Sequence, residues 1–491
     1  MSEPVPSPAP VPGAANAAPV VSPAELDRSC RVPLFVLFVS AAAWLVIGSV
    51  LSLIASIKFH SPEFLADCAW LTYGRVRPAY LDSVLYGFCV QGGLGVALWL
   101  LARLGRAPLA QPWLAILGGA LWNFGLTIGV GEILAGNSTG FEHLELPGHA
   151  VALVSLGYLL LGIAGVMTFH QRRERELFAS QWFLFTSLFW FPWIYSTANL
   201  LLLVFPVRGV AQAVIAWWYS DNLLVVWLSL IGLAGAFYLV PKLANRELHS
   251  RYLALFTFWF LVLFGSWGGI PAAAPVPAWM PTVSTVATAF LLLPALAVGL
   301  NIYRTMGRFV LFPAGQPALA FVLLGVLAFA VGGATKALVA LLDIRQVLYF
   351  TWFTGAESQL QFYGFFGMVM FGAVYHILPR LTGVEFVSHR LMRAHLWLAL
   401  GGTLLIVAPW AVGGILQGLQ LQSPNVAFAD IMKSSLVFLR VSTIGDLLLL
   451  LGNLVFLGNV LGLVVKFYRA RAVAAYTAVT ADLFNPAGAK T

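Results

Sequence analysis

Asp221, Lys336, Glu357 and Asp446 stand in long apolar stretches of this chain, and Asp82 and Glu132 lie at the edges of two more. A charge in such surroundings is costly, so each of these residues needs a partner or a task. Asp221 is the sharpest case. It sits in WWYSDN, residues 217–222, and is followed by LLVVWLSLIGLAGAFYLV. Residues of this kind can neutralise one another and bond to tryptophan and tyrosine, or they can line a polar route for protons or a small solute. Mutual pairing is the simpler expectation. A second group, Glu142, His143, Glu145 and His149, falls within FEHLELPGH. Its oxygen and imidazole donors suit a divalent metal, although a solvated loop is the plainer expectation. The other histidines, His60, His170, His249, His376, His389 and His395, fall at the ends of apolar runs or in basic loops. They are expected at interfaces, satisfied by water. Cys30, Cys68 and Cys89 form no CxxC or CxxCH motif, which removes covalent c-type heme, a cysteine zinc site and any case for a disulfide.

The elements that must position these residues are membrane helices. Of 491 residues, 60% are hydrophobic and 9% charged, and the mean hydropathy is +0.88. A soluble fold could not hide that much apolar surface. The net charge of +8 is not a nucleic-acid signal, because the basic residues lie in short loops between apolar runs. Windows of about 20 apolar residues predict an all-α polytopic membrane protein with twelve spans, the first beginning at residue 33, the seventh over 252–270 and the twelfth ending at 467. Most Lys and Arg fall in the tails and in the loops after even-numbered spans, so both termini are expected in the cytoplasm. The longer loops, 57–80, 136–148 and 417–440, are then outside. Residues 1–32 are expected to be a disordered cytoplasmic tail, 33–468 the membrane domain, and 469–491 a cytoplasmic C-terminal tail. The Pro/Ala/Val-rich start lacks the basic segment and apolar core of a signal peptide, and no internal repeat of the transporter kind is visible.

Six motifs carry a resemblance. They are WLTYGRVRPAYLDSVLYGF before the second span, QRRERELFASQWF in the fourth loop, WWYSDN with YLVPKLANRELHS around the sixth span, GAVYHILPRLTG in the tenth, HLWLALGGTLLIVAPWAVGGILQGL in the eleventh and LRVSTIGDLLLLLGN in the twelfth. In this order they resemble the catalytic subunit I of cytochrome cbb3 oxidases, a branch of the heme-copper oxidase superfamily, over residues 33–468. The resemblance implies the twelve-helix subunit I bundle and a bacterial inner-membrane location. It also implies sites for heme b and copper, held in the family by six histidines beside a cross-linked tyrosine. Here none of these residues is present. The low-spin heme positions fall on Tyr80 and Gln359, and the high-spin heme position on Glu357. The copper positions fall on Asp221, Pro271 and Ala272, and the tyrosine position on Gly265. Phenol and carboxamide are poor substitutes for the axial donors of low-spin heme, and a lone carboxylate is a poor copper site.

The resemblance therefore implies a non-catalytic relative without heme or copper. Such a chain is expected to act as a scaffold or accessory subunit among membrane lipid, docking a membrane-anchored c-type cytochrome or another respiratory partner. One alternative is a terminal oxidase or nitric oxide reductase-like enzyme with unusual heme b and copper ligands, Tyr80 as phenolate among them. Another is a channel or transporter using the vacated cavity. In every case Asp221 and Glu357 are expected in one polar pocket, with a proton or Lys336, the one lysine away from the end of an expected span, between them.

Overall fold

The structure, a computed structural model, describes residues 22–308 and 310–484. Among these residues, eleven helices are long and apolar enough to cross a membrane. Numbered with the shorter seventh helix, they are α1 Pro23–His60, α2 Tyr73–Gly105, α3 Pro112–Ala135, α4 Gly148–His170, α5 Ala179–Val204, α6 Val210–Ala244, α7 Arg251–Trp267, α8 Trp279–Met306, α9 Pro317–Val339, α10 Trp352–Thr382, α11 His389–Leu421 and α12 Phe428–Phe484. The expected twelve become eleven because α7 falls short. Its regular helix ends at Leu263, and a 3₁₀ turn over Gly265–Trp267 follows. The next residues, GGIPAAAPVP, cannot propagate a helix, since glycine disfavours it and proline lacks the amide donor.

Two expected boundaries also move. Ser22 and Glu25 form a reciprocal capping box that starts α1 at Pro23, well before residue 33. Asp27 is buried and accepts a 2.9 Å bond from Trp99 Nε1, while Arg31 Nε donates to the Leu381 carbonyl at 2.6 Å. Residues 23–32 therefore belong to the bundle, and the expected tail before Ser22 lies outside the described residues. At the other end α12 continues through residue 468 to Phe484, and the last expected tail residues again lie outside the described ones.

Three helices form the centre. The most apolar windows of α2, α6 and α10 are 100%, 94% and 89% covered by protein, against 39–61% for the other spans. These three carry Tyr80, Asp221, Glu357 and Gln359. Close approach between α6 and α10 depends on Gly232, where a Cβ would fall 2.5 Å from the Phe365 ring. Each central helix loosens into π turns just past its candidate residues, at Ser83–Val90, Asn222–Trp227 and Leu360–Gly367. Such turns cluster at functional positions, because they rotate the side chains that flank them.

The histidine expectation is corrected in three places. His143, His376 and His395 are buried rather than interfacial. His395 packs among the rings of Phe321, Phe371 and Phe456, and its Nδ1 lies 2.9 Å from the Tyr375 hydroxyl.

Candidate functional site

A cavity of about 580 Å³ opens between α6, α9 and α10, and Asp221, Lys336 and Glu357 all line it. Lys336 Nζ donates to Asp221 Oδ1 at 2.9 Å. Glu357 Oε1 is buried and has no hydrogen-bond partner. Gln361, one turn further along α10, donates to the Leu224 carbonyl at 2.9 Å. At the same cavity stands Arg345, on the short helix Leu342–Leu348. Its guanidinium lies 5.3 Å from the Tyr349 ring centroid and bonds Thr285 Oγ1 at 3.3 Å. The three residues named from the sequence are thus brought together.

Pro271 and Ala272 are not part of this group. The residues packed directly against Asp221 are Gly268 and Gly269. A Cβ on Gly268 would fall 2.2 Å from Asp221 Oδ2, and one on Gly269 would fall 2.8 Å from Asp221 Cβ and 2.6 Å from the Trp217 carbonyl. Gly269 also has φ +92°, a conformation suited to glycine. Counting along a helix misplaces this contact because the chain has already left the helix at Leu263. Gly265 lies against Val226.

Tyr80 and Gln359 line a second cavity of about 390 Å³, with Asp446 and Trp352 also in its wall. Asp446 accepts a 2.7 Å bond from Ser52 Oγ. Glu142, His143, Thr354 and Ser358 border both cavities.

The four donors of the loop 136–148 and the residue after it go to separate partners. Glu142 pairs with Arg77 at 3.1 Å, and His149 bonds Glu132. His143 Nδ1 lies 2.7 Å from Ser220 Oγ, and its carbonyl accepts from the Tyr86 hydroxyl. Glu145 is buried near Asp82, close enough for the two carboxyls to act on each other. Among the described residues no group of three or more His, Cys, Asp and Glu could hold a metal ion. The sequence cluster Glu142, His143, Glu145 and His149 is therefore not a cluster in space, because the loop folds inward and turns each side chain a different way. Burial pushes the Glu145 carboxyl up to about 7. Burial also lowers the pKa of His143, which keeps its imidazole neutral. The Asp82–Glu145 contact joins two elements 63 positions apart, and no spacing in the sequence announces it.

The donor set does not fit heme or copper. Tyr80 would have to ligate iron as a phenolate, in a cavity whose wall also holds the Asp446 carboxyl, and like charges in low dielectric oppose that form. The carboxamide of Gln359 is a weak axial donor. Asp221 is engaged by the Lys336 ammonium, whose charge opposes a metal cation at the same oxygen. Gly268 and Gly269 offer no side-chain donor.

The comparisons with known proteins agree with the architecture. Residues 33–448 match the model of the family described as cytochrome c and quinol oxidase polypeptide I. Cytochrome c oxidase subunit 1 of Rhodobacter capsulatus is 24% identical over 451 residues, covering 87% of this chain and 84% of its own length. A cbb3-type cytochrome c oxidase subunit of Stutzerimonas stutzeri is 23% identical over 436 residues, covering 86% and 92%. Among solved structures, a heme-copper terminal oxidase dimer superposes with a TM-score of 0.71 at 13% identity, covering 89% of this chain and 84% of that one, a likeness of fold. With a multi-pass helical bundle and a family match over most of its length, the chain belongs to the cytochrome c and quinol oxidase polypeptide I family.

Proposed function

We propose that the chain is a non-catalytic counterpart of the cbb3-type subunit I, a membrane scaffold or accessory subunit that docks a membrane-anchored c-type cytochrome or another respiratory partner. The observation that carries this reading is the Lys336–Asp221 pair at 2.9 Å. It sets an internal cation at the position the family resemblance assigns to a copper ligand. Tyr80, Gln359 and Glu357 at the heme positions support the same reading. The family supports a bacterial inner membrane, and the distribution of Lys and Arg favours both termini in the cytoplasm. The loops 57–80, 136–148 and 417–440 are then the docking side, with Trp70, Tyr73 and Phe141 as aromatic anchors; Trp70 is 55% exposed. A reduced-minus-oxidised absorption spectrum of the natively expressed, purified chain tests the first half. The expected spectrum has no alpha band in proportion to protein, and one or two hemes per chain would point instead to an enzyme with unusual ligands. Affinity purification in mild detergent tests the second half, and recovery of the chain alone counts against docking.

A further inference from the structure

We propose that the cavity between α6, α9 and α10 binds a small zwitterion of the α-amino-acid type, its ammonium group on Glu357 and its carboxylate on Arg345. The inference rests on the reading that no heme fills this space. Two of the acids that line the cavity are already paired, Asp221 with Lys336 at 2.9 Å and Glu142 with Arg77 at 3.1 Å. Glu357 and Arg345 are left without a direct ion pair among the described residues, with the Lys336 ammonium acting on Glu357 only from its place on Asp221. Glu357 Oε1 is buried without a hydrogen-bond partner. A buried acceptor left this way is costly, and an N–H donor relieves it. Arg345 has one long bond to Thr285 and a stacking contact with Tyr349, which leaves guanidinium donors to spare.

Opposite charges at separate points of one cavity select a solute that carries both signs. A simple cation would leave Arg345 unpaired, and a simple anion would meet Glu357. The volume of about 580 Å³ lies in the range of small-molecule pockets. Trp217, Leu224, Val225 and Val339 give an apolar wall for an aliphatic side chain, and the outer-loop residue Phe141 stands at the cavity's border.

Equilibrium dialysis of the purified full chain with radiolabelled L-leucine and L-alanine, after the absorption spectrum of the same sample has been recorded, tests the site. The expected result is saturable binding of one amino acid per chain. Leucinamide, with the ammonium alone, and isocaproate, with the carboxylate alone, should compete far less well than leucine. Glu357→Gln and Arg345→Gln should each weaken binding about tenfold or more, the loss of one charge-assisted contact. Should either variant fail to fold, the analogue competition on the unaltered chain decides alone. Absence of saturable binding at millimolar amino acid by heme-free protein overturns the zwitterion site and leaves the scaffold reading standing. Equal competition by the one-charge analogues overturns it too. A heme band in the recorded spectrum overturns the scaffold reading instead.

Discussion

Lys336 and Asp221 stand 115 residues apart in the chain and meet at 2.9 Å with side chains 29% and 12% exposed. Removing one partner strands the other, whereas removing both need not cost much. Lys336→Met should lower stability by about 2–3 kcal/mol, and Asp221→Asn combined with Lys336→Met should recover most of that loss. Thermal unfolding in detergent reads both. Glu145 supplies a pH dependence. Its carboxyl rises from 4.5 to about 7 on folding, so the native chain keeps a proton that the unfolded chain releases. Stability should therefore fall as pH rises from about 4.5 towards 7 and level off above it. Melting curves across this range should flatten in Glu145→Gln. The Asp221 pair was legible in the sequence because both residues interrupt apolar runs. The Asp82–Glu145 contact was not, since Glu145 sits in a polar loop where an acid is ordinary. The burial of His395 was hidden for a similar reason: it stands near the start of a helix beside Arg390 and Arg393, and only packing against Phe321, Phe371 and Phe456 takes it out of water.

Among the elements, α7 departs furthest from expectation. Hydropathy alone carries the seventh span across residues 252–270, but Gly and Pro end its regular helix at Leu263. The extended Gly268–Gly269 step then lets the backbone lie against Asp221. Gly269→Ala adds a Cβ at φ +92° and 2.6 Å from the Trp217 carbonyl. It should cost about 1–3 kcal/mol from the backbone conformation alone, with a melting temperature lower than that of Gly299→Ala, where a Cβ meets nothing within 4 Å. The start of α1 carried a readable signal that composition obscured. SPAE, residues 22–25, is a capping box with proline at the first helical position. The Pro/Ala/Val-rich composition around it is that of a tail and masks the cap.

For the whole molecule, the order of motifs made the fold legible where no single motif could. The family match over residues 33–448 covers nearly the same stretch as the resemblance. The cavities were less legible, because their volumes and shared walls depend on how the bundle closes. If the chain works as a scaffold, its centre can lose charge without losing its role. Glu357→Gln should leave partner recovery unchanged in affinity purification, because Lys336 stays paired with Asp221 and no charge is stranded. A solute-binding role predicts the opposite for amino-acid binding by the same variant. The two readouts therefore separate the outer docking surface from the inner cavity.

The π turns that follow Asp82, Asp221 and Gln359 bear on protein engineering. They set the register of the central helices through main-chain hydrogen bonds, so the bundle can serve as a casting mould. Tyr80→His with Gln359→His would aim two imidazoles into the 390 Å³ cavity from opposite helices without asking the backbone to rewind. Expressed with hemin supplied, that variant should gain an alpha band that the scaffold reading denies to the parent chain.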